Sequence, residues 1–331
     1  MGILASKKIA LVFPGQGSQE VGMGRSLAEN SPAAAALFAR ADEVLGCGIS
    51  KLCWEGPEED LRQTINTQPA IYATSCAALV ALYGSTGSSS AIESPLLEED
   101  ARRNVLFTAG HSVGEYAALF AAGAFSFEVG LRLVRTRAEL MQKAAEEHPG
   151  TMAAVLGLSP EQVNEVVRRA SDAGTIVAAN FNSPMQTVIS GEHAAIERAS
   201  EIAKEMGAKR VVPLNVAGAF HSPLMASAAE DLAHVLQSVE IRDTVVPVVA
   251  NFTAEAQSLA HQIRENLSKQ ITGSVRWTES VQRMLDSGVE AFIELGAGNV
   301  LAGLIKRIAP AAEVYSVGDK ASVDALLSLQ G

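Results

Sequence analysis

The stretch NVLFTAGHSVGEYAALFAAGAF, residues 104–125, limits the possible folds more than any other part of the chain. An apolar run ends in Gly-x-Ser-x-Gly and passes directly into a strong helix-forming segment. In that context the serine sits on a tight strand-to-helix turn that lifts its hydroxyl above the end of a sheet. Glycines two positions to either side let the strand and helix backbones pass without a Cβ between them. Ser112 is therefore a candidate nucleophile. The N-terminus of the new helix and the Val113 backbone N–H point to where an oxyanion would develop.

The rest of the chain reads as strands alternating with helices, which predicts a mostly parallel sheet covered on both faces. KKIALVF near the start has the pattern of a buried strand, closed by the breaker sequence PGQGSQ. The alanine- and leucine-rich segments SPAAAALFARADEVL and TQPAIYATSCAALVALYG read as covering helices. Residues 85–103, polar and rich in glycine, serine and acid, read as an exposed loop and the most disorder-prone segment. From about 151 to 214 the order becomes β-α-β-β-α-β, a ferredoxin-like unit, with Ser159, Pro160 and Gln162 forming a capping box at its first helix and 182–184 a turn. The expected fold is α/β: a large α/β-hydrolase-like catalytic domain over 1–148 and 215–331, with an inserted ferredoxin-like subdomain over 149–214.

With 331 residues, 48% of them hydrophobic and 19% charged, the chain has ample material for a filled core. It exceeds the roughly 250–300 residues at which a single core stops growing, which suits a main domain plus a smaller one. The net charge of −11 argues against a nucleic-acid partner, since phosphates need a basic face. No stretch approaches 18 uninterrupted apolar residues, and the lysines of MGILASKK follow its apolar segment, the reverse of a secretory signal. A cytoplasmic enzyme without a membrane role is expected. The weak match of the first residues to a myristoylation pattern is set aside. Cys47, Cys53 and Cys76 form no metal-binding pattern and read as three buried, reduced thiols.

Ser112 needs a general base and a second oxyanion donor. The loop FPGQGSQ, residues 13–19, follows a buried strand and is the best source of that donor. It is a poor dinucleotide fingerprint, because Glu20 stands where the third glycine belongs. His221, in NVAGAFHSPLM, lies in a glycine-bearing loop and is the candidate base, whereas His111 adjoins the serine and should project away from it. No acidic partner for His221 stands out, so a carbonyl is the alternative. LRLVRTRAEL places three arginines on one helix beside the elbow helix; Arg132 and Arg135 fall on its solvated face. A buried Arg137 near an acyl-serine would offer a bidentate fork to a free carboxylate. These residues alone fit either a hydrolase or a transferase.

In combination, FPGQGSQ, GHSVGEY, RTRAELM, NFNSP, GAFHSPLM, QITGSVRWTES and ELGAGNVLAGLIKRI resemble the malonyl-CoA:acyl carrier protein transacylase family of bacterial-type fatty acid synthesis, over almost the whole chain. The resemblance implies an S-malonyltransferase that loads malonyl from malonyl-CoA onto Ser112 and passes it to the phosphopantetheine thiol of acyl carrier protein. It implies His221 as base, Arg137 as clamp for the malonyl carboxylate, and the Gln16 and Val113 backbone N–H groups as oxyanion hole. It also implies the Gln270 main-chain carbonyl as the group that orients the histidine. Val113 and Phe220 resemble the malonyl-selecting type, although binding separates one methyl by only about 1–3 kcal/mol. No metal or bound cofactor is implied, and a monomer is expected. Lys209, Arg210, Arg276, Lys306 and Arg307 are candidates for docking an acidic carrier protein. The alternatives are a free-standing acyltransferase of a polyketide pathway, a serine thioesterase or esterase, and a non-catalytic docking module.

Overall fold

A computed structural model describes residues 7–84 and 92–329. The first six residues and 85–91 lie outside it, as does the lipid-acceptor pattern read at the N-terminus. Ten strands are described: β1 (Ile9–Phe13), β2 (Val105–Gly110), β3 (Thr151–Leu156), β4 (Ile176–Ser183), β5 (Gln186–Gly191), β6 (Arg210–Pro213), β7 (Val248–Val249), β8 (Ala256–Gln257), β9 (Ala291–Leu295) and β10 (Glu313–Val317).

Six of them form one sheet in the order β10-β9-β1-β2-β7-β8. All its pairs are parallel except β7 with β8, so the sheet is mixed. β1 lies near its centre, and its five residues are all buried. Ile9, Leu11 and Phe13 join the core on one face, while Ala10 and Val12 join the core on the other. This is why the strand reads as a continuous apolar run rather than an alternation. The other four strands form a second, antiparallel sheet in the order β4-β5-β3-β6, with helices Pro160–Ala170 and His193–Glu205 covering its own core. Its strand β4 is tied to the loop before helix Trp277–Asp286: the Phe181 N–H donates to the Val275 carbonyl at 2.9 Å and the Val275 N–H to the Ala179 carbonyl at 2.8 Å.

Several local expectations hold. The Ser159 capping box is formed, with Pro160 in the first turn. Others are corrected. Part of 85–103 is docked rather than exposed: Ser94, Pro95 and Leu96 are buried, and the Ser94 hydroxyl donates to the Ala121 carbonyl at 2.6 Å. The hairpin turn falls on Pro184 and Met185, leaving Asn182 inside β4. Cys47 is exposed, and only Cys53 and Cys76 are buried. The helices Trp277–Asp286 and Lys320–Ser328 and the short strand β8 add to the expected elements.

Register decides what comes together at one end of the main sheet. Phe13, the last residue of β1, pairs with Gly110, the last of β2, so the loop after β1 and the turn after β2 emerge side by side. The His111 N–H donates to the Phe13 carbonyl at 3.0 Å and fastens the two.

Candidate active site

Ser112 is one of three described non-glycine residues with positive φ, at 53°. A left-handed serine is costly, of order 1–3 kcal/mol, and persists where its surroundings fix it. Those surroundings are visible. A Cβ on Gly110 would come within 2.0 Å of the Gly114 carbonyl, and one on Gly114 within 2.2 Å of the Phe13 carbonyl. The two motif glycines thus allow the elbow helix (Gly114–Ala121) to cross directly over β1 and β2. Asn251, just after β7, completes the turn: its Nδ2 donates to the Gly110 carbonyl at 2.6 Å and its Oδ1 accepts from the Ser112 N–H at 2.6 Å.

The Ser112 Oγ lies 2.8 Å from His221 Nε2. On the far side of the ring, Nδ1 is 2.8 Å from the Gln270 backbone carbonyl. A carbonyl only accepts, so Nδ1 carries the proton and Nε2 presents a lone pair to the serine. His221 also has a positive φ, 57°, and is buried. Burial and the nearby positive charge of Arg137 lower its pKa to about 3, although the Gln270 carbonyl opposes them. The ring is therefore neutral at physiological pH.

Arg137, 1% exposed, enters from the long helix Phe127–Glu147. Its Nη1 donates to Gln68 Oε1 at 2.6 Å, and its Nη2 donates to Ser112 Oγ and Gln270 Oε1, both at 3.0 Å. The guanidinium is thus a neighbour of the serine oxygen, while Arg132 is exposed and Arg135 pairs with Glu139. Gln16, Val113 and Phe220 line the same cavity, which has a volume of about 120 Å³ and an apolar wall including Met141, Met152 and Val188.

The structure also brings in residues that the sequence reading passed over. His111 does not project away: it lines the cavity, and its Nε2 is 2.8 Å from Asn182 Oδ1 on β4. The register of β1 and β2 turns it inward, and Gly15 leaves room for it, since a Cβ there would meet the His111 carbonyl at 2.3 Å. Gln68 lies in the first turns of the helix Thr64–Tyr83, after Asn66 and Thr67, and nothing in that polar stretch singles it out. Glu115 is buried under the elbow, where its carboxylate accepts from the Asn251 N–H (3.1 Å), Gln257 Nε2 (3.1 Å) and Gln270 Nε2 (2.6 Å). Burial pushes its pKa up to about 7, against the pull of those donors and of Arg137.

Of the basic candidates for docking, Lys209 and Arg210 are exposed, and Lys209 and Arg307 flank one surface groove with Met185. Arg276 is engaged by Glu279 and Lys306 by the Ala312 carbonyl. Among the described residues no group of three or more His, Cys, Asp or Glu side chains could hold a metal, and no helix is long and apolar enough to cross a membrane.

Known proteins resemble this chain over nearly its whole length. The acyl transferase domain family matches residues 10–318. A malonyl CoA-acyl carrier protein transacylase of Bacillus subtilis is 43% identical over 318 residues, covering 96% of this chain and 95% of its own. The crystal structure of an acyl-carrier-protein S-malonyltransferase from Burkholderia pseudomallei superposes with a TM-score of 0.88 at 42% identity, over 97% of this chain and 100% of that one. A malonyl-transacylase in complex with its type II PKS acyl-carrier protein matches with a TM-score of 0.88 at 39% identity, over 97% and 99% of the two chains. A serine raised on a glycine-flanked turn, a neutral histidine against it and a guanidinium on its oxygen thus coincide with likeness over nearly the full length, and the chain belongs to the acyl transferase family, among the malonyl CoA-acyl carrier protein transacylases.

Proposed function

We propose that this protein takes malonyl from malonyl-CoA onto Ser112 and delivers it to the phosphopantetheine thiol of an acyl carrier protein, supplying extender units for fatty acid synthesis. The observation that carries this reading is the Arg137 Nη2 at 3.0 Å from Ser112 Oγ in a buried cavity. An esterase has no use for a cation there, whereas an acyl group ending in a carboxylate does.

The steps follow from the hydrogen bonds. His221 Nε2 accepts the Ser112 proton as Oγ attacks the thioester carbonyl. The tetrahedral oxygen is met by the Gln16 and Val113 backbone N–H groups, and the Gln270 carbonyl keeps the Nδ1–H tautomer in place. CoA leaves as the thiol, taking the proton from His221. The carrier thiol then gives its proton to His221 and attacks the malonyl ester, and the Ser112 Oγ–acyl bond breaks as Oγ takes that proton back from His221. Arg137 holds the malonyl carboxylate through both halves, and Phe220 and Val113 narrow the space beside the α-carbon.

No step needs a metal or bound cofactor. We read the four-stranded unit, 149–214, as a ferredoxin-like insert in an α/β-hydrolase-like domain of 1–148 and 215–331, a reading supported by its strand order. We read the protein as a cytoplasmic monomer, with Ser112, His221 and Arg137 brought together by one chain. The carrier docks on the Lys209, Arg210 and Arg307 face, where an acidic partner meets cations around Met185. Charge reversal at Lys209 and Arg307 should raise the carrier's KM several-fold and leave that for malonyl-CoA unchanged; equal effects on both refute the docking face.

Intact mass after mixing with malonyl-CoA tests the whole reading. A malonyl adduct that is absent in Ser112→Ala and discharges on adding holo carrier protein is expected. Malonate released to water without carrier would make the protein a hydrolase. The likeness to a transacylase bound to a polyketide carrier favours a second reading, in which the acceptor belongs to a polyketide pathway; discharge rates to the two kinds of carrier decide between them.

A further inference from the structure

A buried guanidinium needs compensating negative charge, and a substrate carboxylate provides it only while substrate is bound. The hydrogen-bond partners of Arg137 are all neutral: Gln68, Ser112 and Gln270. The anion that this network reaches is Glu115, one amide further on. Gln270 Oε1 accepts from Arg137 Nη2 at 3.0 Å, while its Nε2 donates to Glu115 Oε2 at 2.6 Å. Glu115 is 0% exposed and takes its other hydrogen bonds from the Asn251 N–H and Gln257 Nε2.

A side-chain amide has one accepting end and one donating end, whereas a carboxylate only accepts. Glu115, together with the Ser112 carbonyl that accepts from the same Nε2 at 3.1 Å, turns Nε2 inward, and the end left facing the guanidinium is Oε1. An amide at position 115 would replace the charged acceptor by a neutral one and leave the Ser112 carbonyl as the stronger hold on Nε2. Gln270 would then be held less firmly against the Arg137 donors, and the guanidinium would lose the charge behind it. The base is spared, because His221 is held by the Gln270 main-chain carbonyl and not by its amide.

We propose that Glu115 is a positioning residue for malonyl recognition: its carboxylate fixes the Gln270 amide, the amide seats Arg137, and the same carboxylate is the anion that the guanidinium retains when the cavity holds no substrate. The assignment rests on Arg137 being the malonyl clamp. It separates the site into two halves that meet at Gln270, with the backbone serving the proton transfer and the side chain serving the acyl group's charge.

Glu115→Gln tests this at nearly constant volume and at pH 8, where a carboxyl raised to about 7 is mostly ionised, with acylation of Ser112 by malonyl-CoA and by acetyl-CoA followed by rapid quench and intact mass. The expected result is a rise of about tenfold in KM for malonyl-CoA, the size of one lost charge-assisted contact, with the maximal rate and the acetyl-CoA kcat/KM each within about threefold. Equal losses with both donors, or an unchanged malonyl KM, would overturn it. Since the variant strands a buried cation, thermal midpoints are compared for Glu115→Gln, Arg137→Met and the double substitution. The double variant should melt above Glu115→Gln alone; a midpoint no higher than that of Glu115→Gln refutes the pairing even if that variant is too unstable to assay. Absence of a malonyl adduct on the unsubstituted protein would instead count against the malonyl reading, and the melting comparison would still decide the pairing.

Discussion

Replacing Arg137 by methionine keeps most of the side-chain volume and removes the fork. In the empty site its Nη2 spends one hydrogen on Ser112 Oγ and one on Gln270, and its Nη1 spends one on Gln68. A malonyl carboxylate must take the Ser112 position and the remaining Nη1 hydrogen, giving two charge-assisted bonds. Each is worth about 1.5–3 kcal/mol, but one replaces an existing contact, so the net loss lies near 3–4 kcal/mol. That corresponds to a fall of roughly 10²–10³ in kcat/KM for malonyl-CoA. Acetyl-CoA has no carboxylate to lose, and removing the cation relieves the second-largest influence that holds the His221 pKa down. Acetyl loading should therefore stay level or rise. Single-turnover acylation with the two thioesters, alongside a denaturation curve, separates this from damage to the fold, because Gln68 and Gln270 each lose a donor. A parallel fall with both thioesters would show that Arg137 supports the elbow and does not read the acyl group.

Two further outcomes follow from geometry already described. Gly114→Ala sets a Cβ 2.2 Å from the Phe13 carbonyl and 2.7 Å from the Pro14 carbonyl, both backbone atoms that cannot turn aside; it should cost about 3 kcal/mol in urea denaturation and abolish acylation, and a wild-type midpoint would contradict the packing. His221, with its pKa lowered to about 3, stays neutral in the folded protein where an unfolded imidazole would protonate near 6.5. Its contribution to stability is thus complete above about pH 6.5 and is lost as the pH falls toward 3. The acylation rate at saturating malonyl-CoA should accordingly show no acid limb between pH 5 and 8, and a limb centred near 6.5 would refute the burial of the ring.

What could be read from the sequence was whatever is written locally. The glycines around Ser112, the apolar run of β1 and the capping box at Ser159 each announce a backbone geometry within a few residues. His221 and Arg137 were found because each type suits a stated task, and the structure brings both to the serine. The misses share a different cause. Gln68, Asn251 and Glu115 are polar residues inside apolar or helical runs, and their purpose exists only once β7, the helix Thr64–Tyr83 and Gln270 converge on the elbow. His111 was misjudged because its direction depends on the register of β1 against β2, which no local signal fixes. β8 runs for only two residues, Ala256–Gln257, and offers no period to detect.

The bond from His221 Nδ1 to a main-chain carbonyl bears on the choice of acceptor. A carboxylate in that place would stabilise the imidazolium that forms as a nucleophile surrenders its proton. A neutral carbonyl gives far less and only partly offsets burial and the Arg137 charge, so the ring is a reluctant proton acceptor. Such a base takes the proton of a thiol, whose own pKa is about 8.5, far more readily than that of a hydroxyl or of water, near 15.7, and Ser112 offsets the difference by being held 2.8 Å from Nε2. The acyl-serine is thereby kinetically sheltered by the weakness of its own base, and hydrolysis is disfavoured even where a solvent molecule can reach the ester.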